Sequence, residues 1–101
     1  MKFTNLALAA GLAIASIGAA HAQQGVTDDE VVIGTNGDLS GPFAPFVVQA
    51  VQTIQWRIDE VNEAGGIHGR KIRYVVEDHG YQVPRAMANF NKLINSDQVF
   101  A

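Results

Sequence analysis

Three side chains in this sequence are of the type and placement that grip a small molecule: Ser40, Phe46 and Tyr81. A hydroxyl can orient a ligand by one directed hydrogen bond. An aromatic face can cover its apolar part, and a tyrosine supplies both, the mixture found in small-molecule clefts. Each has a plainer alternative. Ser40-Gly41-Pro42 also shapes a turn, Phe46 can pack under its loop, and Tyr81 can close a loop surface. Other chemistry finds little support. Glu77 and Asp78 are adjacent on an expected strand, so they point to opposite faces and do not form a carboxylate pair. His68 and His79 lack metal-binding spacing, and no metal site is expected. The run from Gly34 to Gly41 sits between a strand and a helix, yet it has neither a GxGxxG pattern nor a GK[ST] ending. No nucleotide or other cofactor is implied.

Composition narrows the classes further. The chain has 101 residues, ten acidic against seven Lys plus Arg, a formal net charge of −3 and no cysteine. The acidic balance argues against a nucleic-acid partner. The missing cysteine removes disulfides, thiolate metal sites, cysteine nucleophiles and a lipid anchor of the bacterial type. Residues 1–22 read as an export signal: Lys2 is the charged start, Leu6–Ala20 carries no charge, and Ala20-His21-Ala22 fits the cleavage pattern. That uncharged run is too short for a permanent span, which needs about 20 apolar residues. Residues 23–101 are then the mature part, and a soluble periplasmic location is expected.

Ser40, Phe46 and Tyr81 can meet only if the elements around them bring their loops together. Val31–Gly34 is a short β-branched run that reads as a buried strand, followed by a turn-rich loop to Pro42. Val47, Val51, Ile54, Ile58 and Val61 recur at helical spacing, so Phe46–Ala64 is a predicted helix with Pro45 acceptable in its first turn. Gly65-Gly66 ends it, with Ile67 placed for a capping contact, and Trp56 lies off the apolar stripe, where partial burial is expected. Lys71–Glu77 is a second strand with apolar residues on both faces. His79–Val83 is a loop, a second helix opens at Pro84 with Ala86, Phe90, Leu93 and Ile94 on one face, and Val99–Ala101 is the start of a third strand. Strand-helix-strand-helix-strand order is the mark of an α/β fold with a partial parallel sheet. Right-handed crossovers gather the loops holding all three candidates at one edge. Two strands and a stub scarcely offset about 1.5 kcal/mol of ordering entropy per residue, so the chain reads as the N-terminal portion of a longer protein.

The segments Val32-Ile33-Gly34, Asp38-Leu39-Ser40-Gly41-Pro42, Glu77-Asp78 and, above all, Asp-Glu-Val-Asn-Glu-Ala-Gly-Gly-Ile-His-Gly-Arg-Lys at 59–71 carry a resemblance. From about Val31 to Ala101 the chain resembles the N-terminal lobe of the periplasmic leucine/isoleucine/valine-binding proteins, the substrate-binding subunits of branched-chain amino-acid ABC transporters. The resemblance implies the type I periplasmic binding fold, two α/β lobes closing on a ligand, with permease subunits as partners and no enzymatic activity. The implied ligand is an amino acid or a related small organic acid or amide. Backbone N–H groups at the start of the first helix are candidates to hold its carboxylate. Two positions depart from the family pattern: Val83-Pro84 replaces the usual Asp-Pro pair, and Phe46 stands where several relatives place a tyrosine. Both make the loops less polar and tilt the expectation toward an apolar or aromatic ligand group. The first departure also leaves the second helix weakly capped. A sensor domain using the same lobe, or a truncated remnant without function, is the alternative.

Overall fold

The structure is a computed structural model, and it describes residues 22–101. The export signal expected at residues 1–22 therefore lies outside the described residues apart from Ala22. Four elements follow one another: strand β1 (Glu30–Gly37), helix α1 (Ala44–Glu63), strand β2 (Lys71–Asp78) and helix α2 (Val83–Asn95). The two strands pair in parallel along their full length, from Glu30 opposite Lys71 to Gly37 opposite Asp78. On the other edge of β1 the chain end begins to pair as well. The Phe100 amide donates to the Val32 carbonyl and the Gly34 amide donates to the Ala101 carbonyl, both at 2.8 Å. β1 is thus bonded on both edges, although Val99–Ala101, expected as the start of a third strand, forms no regular strand of its own.

The helices cover opposite faces of the sheet. Gly34 and Gly37 are three residues apart on β1 and so face opposite sides. A Cβ on Gly37 would sit 2.8 Å from the Val47 side chain of α1, and one on Gly34 would sit 3.0 Å from Leu93 of α2. Both contacts need the bare backbone. Ile58 and Leu93 are the buried anchors of the two helices, and Val32 is the buried hydrophobic residue of β1. Val47, Val51 and Val61 are half-buried along the same stripe as Ile58, while Gln52, Gln55, Asp59 and Glu63 face solvent. Trp56 is 67% exposed, contrary to the burial expected for it.

The stretch from Asp59 to Lys71 is built for chain reversal. The Gly66 amide reaches back to the Val61 carbonyl at 2.8 Å and the Gly65 amide to Asn62 at 3.1 Å, the paired bonds of a Schellman cap. Gly65 takes φ +108°, and a Cβ on Gly66 would run into the Arg70 carbonyl. Asn62 then uses its side chain as a surrogate strand: its amide donates to the Ile72 carbonyl and accepts from the Ile72 amide, each at 2.8 Å. Ile67 is half-exposed, its backbone paired both ways with Arg70.

β1 runs three residues beyond its apolar run. Thr35-Asn36-Gly37, expected in a loop, stays extended because every position finds a partner on β2. Asn36 also grips α2, donating to the Ala86 carbonyl at 2.9 Å and accepting from Asn89 at 3.0 Å. At the far end of α2, Lys92 joins Glu77 of β2 to Asp97, and both carboxylates hold the ammonium above its ordinary pKa of 10.5.

Candidate functional site

Because β1 and β2 end at the same level, the two loops that leave them start side by side. These are residues 38–43, leading into α1, and residues 79–82, leading into α2. In an open α/β sheet this carboxyl edge is where ligands bind.

The first loop is organised by Asp38. Its carboxylate is 3% exposed and accepts the Gly41 amide at 2.6 Å and the Phe43 amide at 2.8 Å. Gly41 is required here because a Cβ would lie 2.5 and 2.8 Å from the two carboxylate oxygens. The remaining donors at the start of α1 are also engaged. Ala44 bonds to the Gly41 carbonyl, Phe46 and Val47 both bond to Phe43, and Pro42 and Pro45 have no N–H. The helix start expected to receive a ligand carboxylate is therefore already filled by the protein's own Asp38, whose charge also complements the helix dipole.

The second loop turns back through two successive left-handed residues, Gly80 at φ +55° and Tyr81 at φ +60°. Positive φ at both central positions, with the Gln82 amide bonded to the His79 carbonyl at 2.9 Å, is the pattern of a type I′ turn. A tyrosine in that conformation is strained. Its amide is held by His79 Nδ1 at 2.9 Å. α2 follows with Gln82 at the cap position and no side-chain cap, as the Val83 substitution led one to expect.

Asp78 links the two loops. Its Oδ1 accepts the Leu39 amide at 2.9 Å from the first loop and the Gly80 amide at 2.8 Å from the second. The Ser40 side chain lies beside the same carboxylate and draws its pKa down, and Arg85 lies 3.5 Å from Oδ2. The Ser40 hydroxyl foremost, and then the Leu39 amide, hold the Asp78 carboxyl down at about 2 against the opposing effect of burial.

The candidates are distributed as follows. Ser40 and Tyr81 come to the same edge, Ser40 facing Gly80 and lying beside Asp78. Tyr81 is 61% exposed and its ring meets Phe43 at a centroid distance of 5.0 Å and a 54° tilt. Phe46 stands 75% exposed on the first turn of α1. His79 serves its own turn, and His68 is an exposed turn residue at φ +50° at the other end of β2. A concavity of about 350 Å³ opens beside the second loop, lined by His79, Tyr81, Gln82, Val83 and Ala86. Sequence reasoning passed over Phe43 as the partner of Tyr81, and over Asp38 as the organiser of its loop. The Asp-x-x-Gly spacing of a side-chain-capped turn was the available signal for Asp38.

A central parallel strand, helices on both faces and two loops tied together at the carboxyl edge define the class: an open α/β lobe with a parallel sheet. Residues 30–101 match the family model described as periplasmic binding protein. The chain is 35% identical over 72 residues to an amino acid binding protein of Pseudomonas aeruginosa, covering 71% of this chain and 19% of that protein. It is 32% identical over 82 residues to the leucine-specific-binding protein of Salmonella typhimurium, covering 81% and 22%. Among solved structures it superposes on the branched-chain amino acid transporter substrate-binding protein LivJ of Streptococcus pneumoniae with a TM-score of 0.66 at 30% identity, covering 70% of this chain and 20% of that one. A fatty acid ABC transporter substrate-binding protein from Thermomonospora curvata gives 0.69 at 40% identity, covering 71% and 18%. This chain belongs to the periplasmic binding protein family. It spans about a fifth of the length of the relatives it matches.

Proposed function

We propose that the protein is the substrate-binding component of an ABC importer, exported to the periplasm by the leader at residues 1–22, where it captures an amino acid or a related small organic acid or amide for delivery to permease subunits. Residues 23–101 supply the N-terminal part of one jaw. The loops bearing Ser40, Phe46 and Tyr81 form its ligand-facing edge, and capture proceeds by burial and closure without covalent chemistry. The observation that carries this reading is the edge itself: two loops joined through Asp78, with exposed aromatic rings at Phe43, Phe46 and Tyr81.

The chemistry of the edge suggests which part of the ligand meets it. The carboxylates of Asp38 and Asp78 are saturated by donors, and the amides at the start of α1 are engaged. What is left is aromatic surface, so the ligand's apolar portion lies here. The relatives are named for amino acids and the structural neighbours for branched-chain amino acids and fatty acids, which bounds the panel to test.

The test is a thermal-shift screen of the full-length gene product against amino acids, amides, aromatic acids and fatty acids. A true ligand at a hundred times its Kd stabilises by about 2.7 kcal/mol, which raises Tm by about 3 °C for a chain as long as the relatives. No shift with any member of the panel would refute the proposal.

A further inference from the structure

We infer that Asp78 is a positioning residue that fastens the two loops of the carboxyl edge into a single unit. Its importance for capture rests on the function proposed above, but its mechanics do not.

Asp78 is the last residue of β2, and its backbone is fixed opposite Gly37 of β1. From that fixed point one carboxylate receives donors from three segments: the Leu39 amide of the first loop, the Gly80 amide of the second, and Arg85 in the first turn of α2, with Ser40 beside it. Asp38 differs, since both of its bonds return to its own loop. Hydrogen bonds to an ionised acceptor are about twice as strong as neutral ones. The second loop needs an outside hold, because it keeps Tyr81 in the left-handed region where a side chain is strained. Without the bond from Asp78 to the Gly80 amide, the turn relaxes and the Tyr81 ring withdraws from Phe43. Ser40 then acts through Asp78: its hydroxyl sits against Gly80 and orients the carboxylate that holds that turn. The relative placement of Phe43 and Tyr81 is set by a residue beneath them.

Hydrogen exchange read by mass spectrometry on the full-length protein, without ligand, tests this. Ser40→Ala lies in the first loop, yet it is expected to speed exchange in residues 79–82 by about three- to tenfold, the loss of one ordinary hydrogen bond. Ser40→Thr, which keeps the hydroxyl, is expected to restore protection. Asp78→Asn should loosen both loops together, while peptides around Ile58 and Leu93 keep wild-type rates. The near-ultraviolet dichroism of Tyr81 should weaken in parallel. Exchange that rises only in residues 38–43 after Ser40→Ala would overturn the inference, as would a rise spread evenly over the whole protein. A protein that bound no member of the ligand panel would leave this result standing, so the two failures are distinguishable.

Discussion

A tight local dependence joins Asp38 and Gly41, and a double-mutant cycle exposes it. Asp38→Ala removes a 3% exposed carboxylate that accepts two backbone amides, at 2.6 and 2.8 Å. A hydrogen bond to a charged group is worth about 1.5–3 kcal/mol. Part of that returns when the freed amides meet water and when the buried charge no longer has to be desolvated. A net destabilisation of about 2–4 kcal/mol is expected. Gly41→Ala reaches the same end by another route. Its Cβ would stand 2.5 Å from one carboxylate oxygen and 2.8 Å from the other, so the carboxylate must leave its amides. The expected loss is about 2–3 kcal/mol, within the range for strain introduced into a packed site. In the double variant the carboxylate is already gone, and the three atoms nearest the new Cβ are gone with it. The second substitution should then cost almost nothing, leaving a coupling of about 2 kcal/mol, typical for residues in direct contact. Urea unfolding of the full-length protein and its three variants, compared by linear extrapolation, measures all four corners. Losses that add within about 0.5 kcal/mol would show that Gly41 is not there to admit the Asp38 carboxylate.

Two further predictions concern the second loop. Asp78 is held at about 2 against an ordinary 3.8, so its contribution to stability is complete above pH 3.8 and lost as pH falls through about 2. The Tm difference between wild type and Asp78→Asn should therefore hold steady from neutral pH down to about 4 and close below it; closure between pH 7 and 5 would contradict the assigned hydrogen bonds. At Tyr81 both Gly and Ala lose the ring contact with Phe43, but only Gly accepts φ +60° freely. Tyr81→Gly should therefore be more stable than Tyr81→Ala by about 0.5–1 kcal/mol in urea melts, and the reverse order would refute the left-handed assignment.

The parts of this fold that are local in the chain were legible in its residues. α1 was readable to within two residues because its apolar stripe, Pro45 and the Gly65-Gly66 stop are all written in adjacent positions. The α/β order followed from the same periodicities. β1 was read short because Thr35-Asn36-Gly37 carries no apolar pattern; pairing with β2 and the Asn36 grip on α2 extend it, and both lie about 40–50 positions away. Asp78 orders the loop at its own strand end and the neighbouring loop as well, and the second partner lies far off in the chain. Trp56 and Phe43 failed for a common reason. Burial and ring contacts depend on which distant element arrives, and neither residue's neighbours announce it. The 59–71 stretch that carried the family resemblance contributes a Schellman cap and the Asn62 clasp, at the opposite end of the strands from the candidate ligand edge. It identifies the fold and is silent about the ligand.

The pairing of β1 with β2 has a kinetic side. Glu30 meets Lys71 and Gly37 meets Asp78, a constant offset of 41 residues. No hairpin can seed such a ladder, since parallel strands need a full crossover between them. During synthesis β1 emerges without a mate and stays so until the whole of α1, its reversal and β2 have been made. The loop-closure entropy of that wait falls on the earliest stage of folding and slows it. A polypeptide arranged this way cannot condense from its leading end alone, and it stays open long enough for any machinery that requires an unfolded chain to take hold of it.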